Sequence, residues 1–374
     1  MIVTRTPPSR VIGRSLLRHV NNRSTSSLWN TTSNRTITTS SAHCRQEDLD
    51  HAVALVKSHD PSGLLPGRLL PNTEMQTAYF AVRSFWVETG LRFGSTAQVA
   101  PNATPREHLE WWQQSLDGVY ADLNNKKEEE ENKGDSVEDW RGHPTLRLMH
   151  GVIQESATSN HSASTKTPLL SKIHFDDVLQ GRRNDLDLKQ YPTLQHLEDH
   201  AVLSCGSLAQ LVLESGNMTS ETHPVAHQAA RLVGMGHGLT NALRTSIPVI
   251  STTGKLIVPE DLCQKYGITS PRYLLSALGQ GDTKAQQAMA QAVQEIAEHA
   301  QSHLQAARDL RTDVLAEDPK AVSVLLPALA SETFLQRLQE SGYNLTDRNL
   351  RNVGFLEHWQ CATRMIMAYY QQKY

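Results

Sequence analysis

Cysteine is scarce in this chain. The four it has, Cys44, Cys205, Cys263 and Cys361, lie far apart and form no Cys-x-x-Cys pair. That spacing excludes the usual zinc, iron–sulfur and thioredoxin-like frameworks and suits a reducing compartment. Long hydrophobic runs are missing as well. No apolar stretch approaches the roughly 20 residues that a membrane-spanning helix requires, so the chain is not expected to cross a bilayer. Neither sign of charge is in excess, with 36 Lys and Arg against 39 Asp and Glu. The overall electrostatics therefore call for neither nucleic acid nor an acidic polymer as partner. There is no Gly-x-Ser-x-Gly elbow, no Gly-x-x-x-x-Gly-Lys phosphate loop and no His-Glu-x-x-His pair.

Acidic residues are absent from everything before Glu47, where Arg5, Arg10, Arg14, Arg18, Arg23, Arg35 and Arg45 stand in a Ser/Thr-rich background. This is the composition of a mitochondrial transit peptide, expected over residues 1–43. Arg10, Arg14 and Arg18 recur every fourth residue and so share one helical face.

Beyond Gln46, apolar residues recur at three- and four-residue intervals and strand-like alternation is rare, which predicts an all-α domain over 46–374. The clearest helix starts at Asp282 and Thr283 and carries Met289, Val293, Ile296, Ala300, Leu304, Ala307, Leu310 and Val314, before Pro319. Further helical patterns cover 46–58, 73–93, 105–123, 191–216, 224–245, 331–342 and 352–371. Two polar stretches, 124–139 with its run of four glutamates and 154–168, lack the apolar content to pack and read as surface insertions. Gly234, Gly236 and Gly238 alternate inside a helical pattern, where glycine marks close helix–helix approach rather than a dinucleotide loop.

Seventeen histidines raise the question of a metal. His299 with His303, and His196 with His200, have the i, i+4 spacing at which two imidazoles can share an ion. A solvated helix face accounts for both pairs, and neither a metal nor another cofactor is expected. The last helix carries Val353, Leu356, Trp359, Ile366, Met367, Tyr369 and Tyr370, an amphipathic pattern better explained by closing the core than by lying in a membrane interface.

The most informative segment runs from Arg231 to Arg244, RLVGMGHGLTNALR, followed by Gly254 to Leu262, GKLIVPEDL. Together with Leu69-Leu-Pro71, the run Tyr79 to Arg83 and Phe175 to Leu197, it resembles the squalene/phytoene synthase family. The resemblance implies a single-domain isoprenoid synthase-like helical array. In that family two carboxylates four residues apart on each of two helices hold magnesium against the substrate diphosphate. The i, i+4 spacing points both the same way. Counted from Arg83 and Arg244, the acid positions fall at Trp86 and Gly90 and at Thr245 and Val249, none of them acidic. Glu88, two residues from each of the first pair, lies roughly 200° around the helix from either and cannot replace them.

The run Phe80 to Glu88, FAVRSFWVE, and the run His237 to Thr245, HGLTNALRT, are similar to the NADH dehydrogenase (ubiquinone) complex I assembly factor 6 family. That resemblance implies a non-enzymatic matrix protein, peripheral to the inner membrane, whose partners are complex I subunits or other assembly factors. It leaves Tyr79, Arg83, Trp86, Asn241 and Arg244 as the lining of a degenerate ancestral pocket, with no catalytic residue. A magnesium-dependent prenyl transferase and a lipid or prenyl carrier are the alternatives.

Overall fold

The computed structural model describes residues 44–90, 104–125, 140–159, 170–347, 350 and 355–374. The expected transit peptide, residues 1–43, lies outside them. Among the described residues there is no strand.

The spine is a pair of long helices, α9 (Pro224–Thr253) and α12 (Thr283–Asp309). Asp282 starts α12 by accepting hydrogen bonds from the backbone N–H groups of Lys284 and Ala285, 2.9 and 3.2 Å away, which satisfies two donors the helix cannot bond itself. The buried side of α12 is Ala285, Met289, Ala292, Val293, Ile296, Ala297, Ala300, Leu304 and Ala307. Its spacing is the 3.6-residue period, and its alanines let α9 come close. Gly254, at φ 69°, ends α9 in the left-handed conformation that glycine adopts without a Cβ clash.

Around the spine stand α1 (Gln46–His59), α2 (Leu64–Arg68), α3 (Thr73–Gly90), α4 (Pro105–Asn125), α5 (Pro144–Ser159), α6 (Lys172–Asp187), α7 (Leu194–Ala201) and α8 (Ser207–Ser215). Later in the chain come α10 (Glu260–Tyr266), α11 (Pro271–Gly279), α13 (Arg311–Glu317), α14 (Ala321–Leu325), α15 (Pro327–Glu340) and α16 (Phe355–Tyr370). Helix α3 is buried on nearly every side, from Met75 through Phe80 and Phe85 to Val87, as a helix apolar all round must be. Its Phe85 ring meets Trp112 of α4 and Phe175 of α6 edge to face.

The alternating glycines of α9 do what their spacing implies. Residues two apart lie about 200° apart around a helix, so Gly234 and Gly238 face one way and Gly236 the other. A Cβ on Gly234 would lie 2.4 Å from the Gly206 Cα, and one on Gly238 would lie 2.5 Å from the Ala201 Cβ. One on Gly236 would strike Leu304 of α12 at 2.6 Å.

Several elements differ from the sequence reading. Helix α9 continues past Thr245 through Pro248 to Thr253. Pro248 costs only one backbone hydrogen bond, on a solvent-facing turn, and Thr252 donates to the Pro248 carbonyl at 2.9 Å. The 191–216 pattern is interrupted by one π-helical turn at Val202–Gly206, an inserted residue that apolar periodicity does not reveal. Residues 154–159 are helical, the end of α5, because Met149, Val152 and Ile153 anchor the turns before them; the rest of 154–168 lies outside the described residues, as does most of 124–139. Helix α6 and the short helices α2, α10, α11 and α14 were not singled out. Their few turns are held by packing rather than by a long periodic signal.

The terminal helix α16 closes the core. Met365 and Ala368 are buried against Leu326 and Leu329, and the Tyr374 hydroxyl donates to the Ala307 carbonyl at 2.8 Å. Trp359, Met367 and Tyr370 remain half or more exposed.

Candidate functional site

A buried polar strip runs between α3 and α9. The Tyr79 hydroxyl donates to the Gly63 carbonyl at 2.7 Å, and burial pushes its pKa up to about 12, so it stays a neutral donor. One helical turn on, Arg83 Nε donates to the Asp60 carboxylate at 2.5 Å. Burial alone would lower the guanidinium's pKa, but the Asp60 charge and hydrogen bond more than offset it, so the pair is ionised.

Across the strip, His237 sits in a chain whose donors can be assigned in order. Asn241 Nδ2 has only hydrogens to offer, so it donates to His237 Nε2 at 3.0 Å. The ring proton is then on Nδ1 and points at Ser331 Oγ, 2.9 Å away, while Ser331 donates to the Pro327 carbonyl at 3.3 Å. Burial first, then the charges of Arg83 and Arg244, press the His237 pKa down to about 3. The imidazole is neutral and fully used. Burial likewise pushes the Cys205 thiol up, despite Arg83 nearby, so it is not an activated nucleophile.

Tyr79, Arg83, Cys205 and His237 line a cavity of about 40 Å³ whose other walls include Leu70, Leu208, Val212 and Val324. Ligand pockets run to about 300–1,000 Å³. A space of this size takes a few waters, not a prenyl chain.

Of the five pocket residues expected from the sequence, Tyr79 and Arg83 line this cavity and Asn241 supports its His237 wall. Trp86 and Arg244 are not among the lining residues. Trp86 lies half-buried under Arg182 of α6, whose guanidinium carbon is 3.9 Å from the ring centroid. Arg182 Nη2 also donates to the Trp86 carbonyl at 3.3 Å, and a Cβ on Gly90 would come within 2.9 Å of the same nitrogen. One fixed cation thus covers both positions of the first pair. On α9, Thr245 is exposed and its hydroxyl donates to the Asn241 carbonyl one turn back, at 2.8 Å. Arg244 rests over Phe334, 5.2 Å from the ring centre. Glu88 turns the other way, as its 200° offset requires. It is fully buried, with His51 Nε2 at 3.7 Å from its Oε1 and His108 Nε2 at 3.2 Å from its backbone oxygen.

Two features were not legible in the sequence. Arg182 carries no motif, and it meets Trp86 across 96 residues. His299 and His303 do not merely face solvent: both bond Glu198 Oε1, at 3.0 and 2.8 Å. His196 and His200, at the same spacing, diverge to Thr193 and Asp185.

Residues 56–356 match the squalene/phytoene synthase family. Among solved structures of this fold, squalene synthase HpnC from Alicyclobacillus acidocaldarius superposes with a TM-score of 0.58 at 17% identity, over 80% of this chain and 95% of that one. A dehydrosqualene synthase superposes with a TM-score of 0.56 at 18% identity, over 87% and 98%. Among curated proteins, the complex I assembly factor 6 homolog of Drosophila melanogaster is 25% identical over 299 residues, 80% of this chain and 78% of its own length. The Homo sapiens NADH dehydrogenase (ubiquinone) complex I, assembly factor 6 is 24% identical over 307 residues, 81% and 77%.

Proposed function

This chain belongs to the squalene/phytoene synthase family, and we propose that it serves there as a non-enzymatic factor in the assembly of mitochondrial complex I. The relatives named above carry that role in their names. The observation that carries the non-enzymatic part is the state of the two acid-pair positions. Trp86 and Gly90 lie beneath the Arg182 guanidinium, and Thr245 bonds its own helix. A magnesium ion needs clustered oxygen ligands, and a fixed guanidinium over the site repels it. Without the metals, the departing diphosphate loses its main electrostatic stabilisation. The cavity of about 40 Å³ argues equally against a carrier of lipid or prenyl chains.

In this reading residues 1–43 are a cleaved transit peptide and the mature chain works in the matrix, against the inner membrane. Among the described residues, no helix is long and apolar enough to cross a membrane. It acts through its outer surface on complex I subunits or on other assembly factors.

Two measurements test this. Cells deleted for the protein should lose assembled complex I on native gels while their sterols and carotenoids stay normal. Purified mature chain, given magnesium with farnesyl or geranylgeranyl diphosphate, should release no pyrophosphate. Sustained turnover, or intact complex I in the deletion cells, overturns the assignment.

A further inference from the structure

Glu198 lies in the last turn of α7, and its side chain is only 8% exposed. Its Oε1 receives His299 Nδ1 at 3.0 Å and His303 Nε2 at 2.8 Å, both from α12, more than 100 residues away in sequence. The two imidazoles use opposite ring nitrogens yet converge on one oxygen. The three donor atoms lie within 4.8 Å of one another.

From this convergence we propose that Glu198, His299 and His303 form a binding site for a divalent transition metal, zinc foremost, which clamps α7 to α12. Two imidazoles and one carboxylate make a three-ligand zinc set, with water in the remaining tetrahedral position. Imidazole is a ligand that zinc takes well and that magnesium and calcium do not favour. Ligands at about 2.0–2.2 Å from a tetrahedral ion stand roughly 3.3 Å apart. The present separations therefore need to open by only a few tenths of an ångström, which side-chain torsions supply without moving either helix. Access is provided by His299, whose side chain is 47% exposed, while His303 at 20% and Glu198 form the covered side.

A nearby carboxylate does not compete. Glu295, one turn before His299, is held by Lys265 Nζ at 2.6 Å and by the Tyr266 hydroxyl at 2.7 Å. The site is remote in chemistry from the α3/α9 strip and does not depend on the assembly role proposed above.

The test uses the full mature chain without a histidine tag, stripped with chelator and titrated with zinc against a chromogenic indicator. Cobalt is then added in place of zinc to read geometry from the intensity of its visible bands. One equivalent of zinc and a strong, tetrahedral-type cobalt spectrum are expected. Glu198→Gln, His299→Ala and His303→Ala should each weaken zinc binding at least about tenfold, since loss even of an outer-shell partner commonly costs 10–100-fold. The chain has 17 histidines, so the variants decide the matter. Binding that is unchanged in folded His299→Ala, the most exposed and least disruptive of the three, or wild-type chain that fails to compete with the indicator, overturns the site.

Discussion

Arg182 and Trp86 form a stacked pair, with the guanidinium carbon 3.9 Å from the centre of the indole. Where the family resemblance leads one to look for a carboxylate and a bound cation, this chain supplies an aromatic face and a covalently attached cation. The stack has consequences for stability and for any attempt to restore metal chemistry.

Trp86→Ala removes the platform and leaves Arg182 half-covered without its ring. A loss of about 3 kcal/mol is expected from the deleted aromatic volume, against about 1 kcal/mol for Trp86→Phe, which keeps a weaker π face. Urea denaturation of the two variants checks the ranking. Equal losses would mean that the cation contributes nothing.

Putting acids back should not bring magnesium back. In a Trp86→Asp, Gly90→Asp variant, both new carboxylates fall within reach of Arg182, whose Nη2 already lies 2.9 Å from where a Gly90 Cβ would stand. An internal ion pair forms in preference to a hydrated magnesium site. Millimolar magnesium should leave the thermal midpoint of this variant where it was, and a magnesium-dependent rise would contradict the prediction.

Asp60 and Arg83 are a covered ion pair, with side chains 15% and 13% exposed. Asp60→Asn strands the guanidinium beside neutral His237. Breaking such a pair from one side costs about 3–5 kcal/mol. A loss below about 1 kcal/mol on chemical denaturation would show the pair to be solvent-screened.

Buried histidines set the response to acid. Burial, the largest cause in each case, lowers the pKa of His143 to about 4, that of His237 to about 3, and those of His174 and His227 by smaller amounts. Above the usual histidine value of 6.5 both folded and unfolded states are neutral there, and nothing changes. As pH falls below it, the unfolded chain takes up protons that the folded chain refuses, so stability drops until about pH 4 for His143 and about pH 3 for His237, and levels off below. At pH 5, His143 and His237 should each have cost about 2 kcal/mol. Urea midpoints at pH 7.5, 6 and 5 measure this, and His237→Gln should flatten the decline.

Gly234→Ala tests the closest backbone approach in the fold. Its Cβ would lie 2.4 Å from the Gly206 Cα and 2.6 Å from the Gly206 nitrogen, so two main chains must separate, at about 3 kcal/mol or more. Gly279→Ala is the control. Nothing stands within 4 Å of its Cβ, and the added helix propensity should stabilise by about 0.5 kcal/mol. Matching thermal midpoints for the two variants would remove the packing account.

The sequence carried what is periodic and what is local. The α12 stripe, the Asp282 cap and the α9 glycines could be read because each is a spacing along one helix. The motif around Arg244 pointed to the fold for the same reason. What escaped were pairings across the fold: Arg182 on Trp86, Glu198 under two histidines, and the Asp60 partner of Arg83. None has a local signature, and each is defined only once separate helices are packed. The π turn escaped for a different reason, since one inserted residue leaves both flanking helical patterns intact.

That turn, laid against α9 at Gly206 and Gly234, bears on how the molecule can move. Packed helices ordinarily slide by letting side chains hop between rotamers, which act as a compliant layer. Here there is no such layer, because backbone rests on backbone. The contact is therefore a fixed pivot: α7, α8 and α9 can rock about it but cannot shear past it, and large excursions fall to the segments and ends farthest from that point.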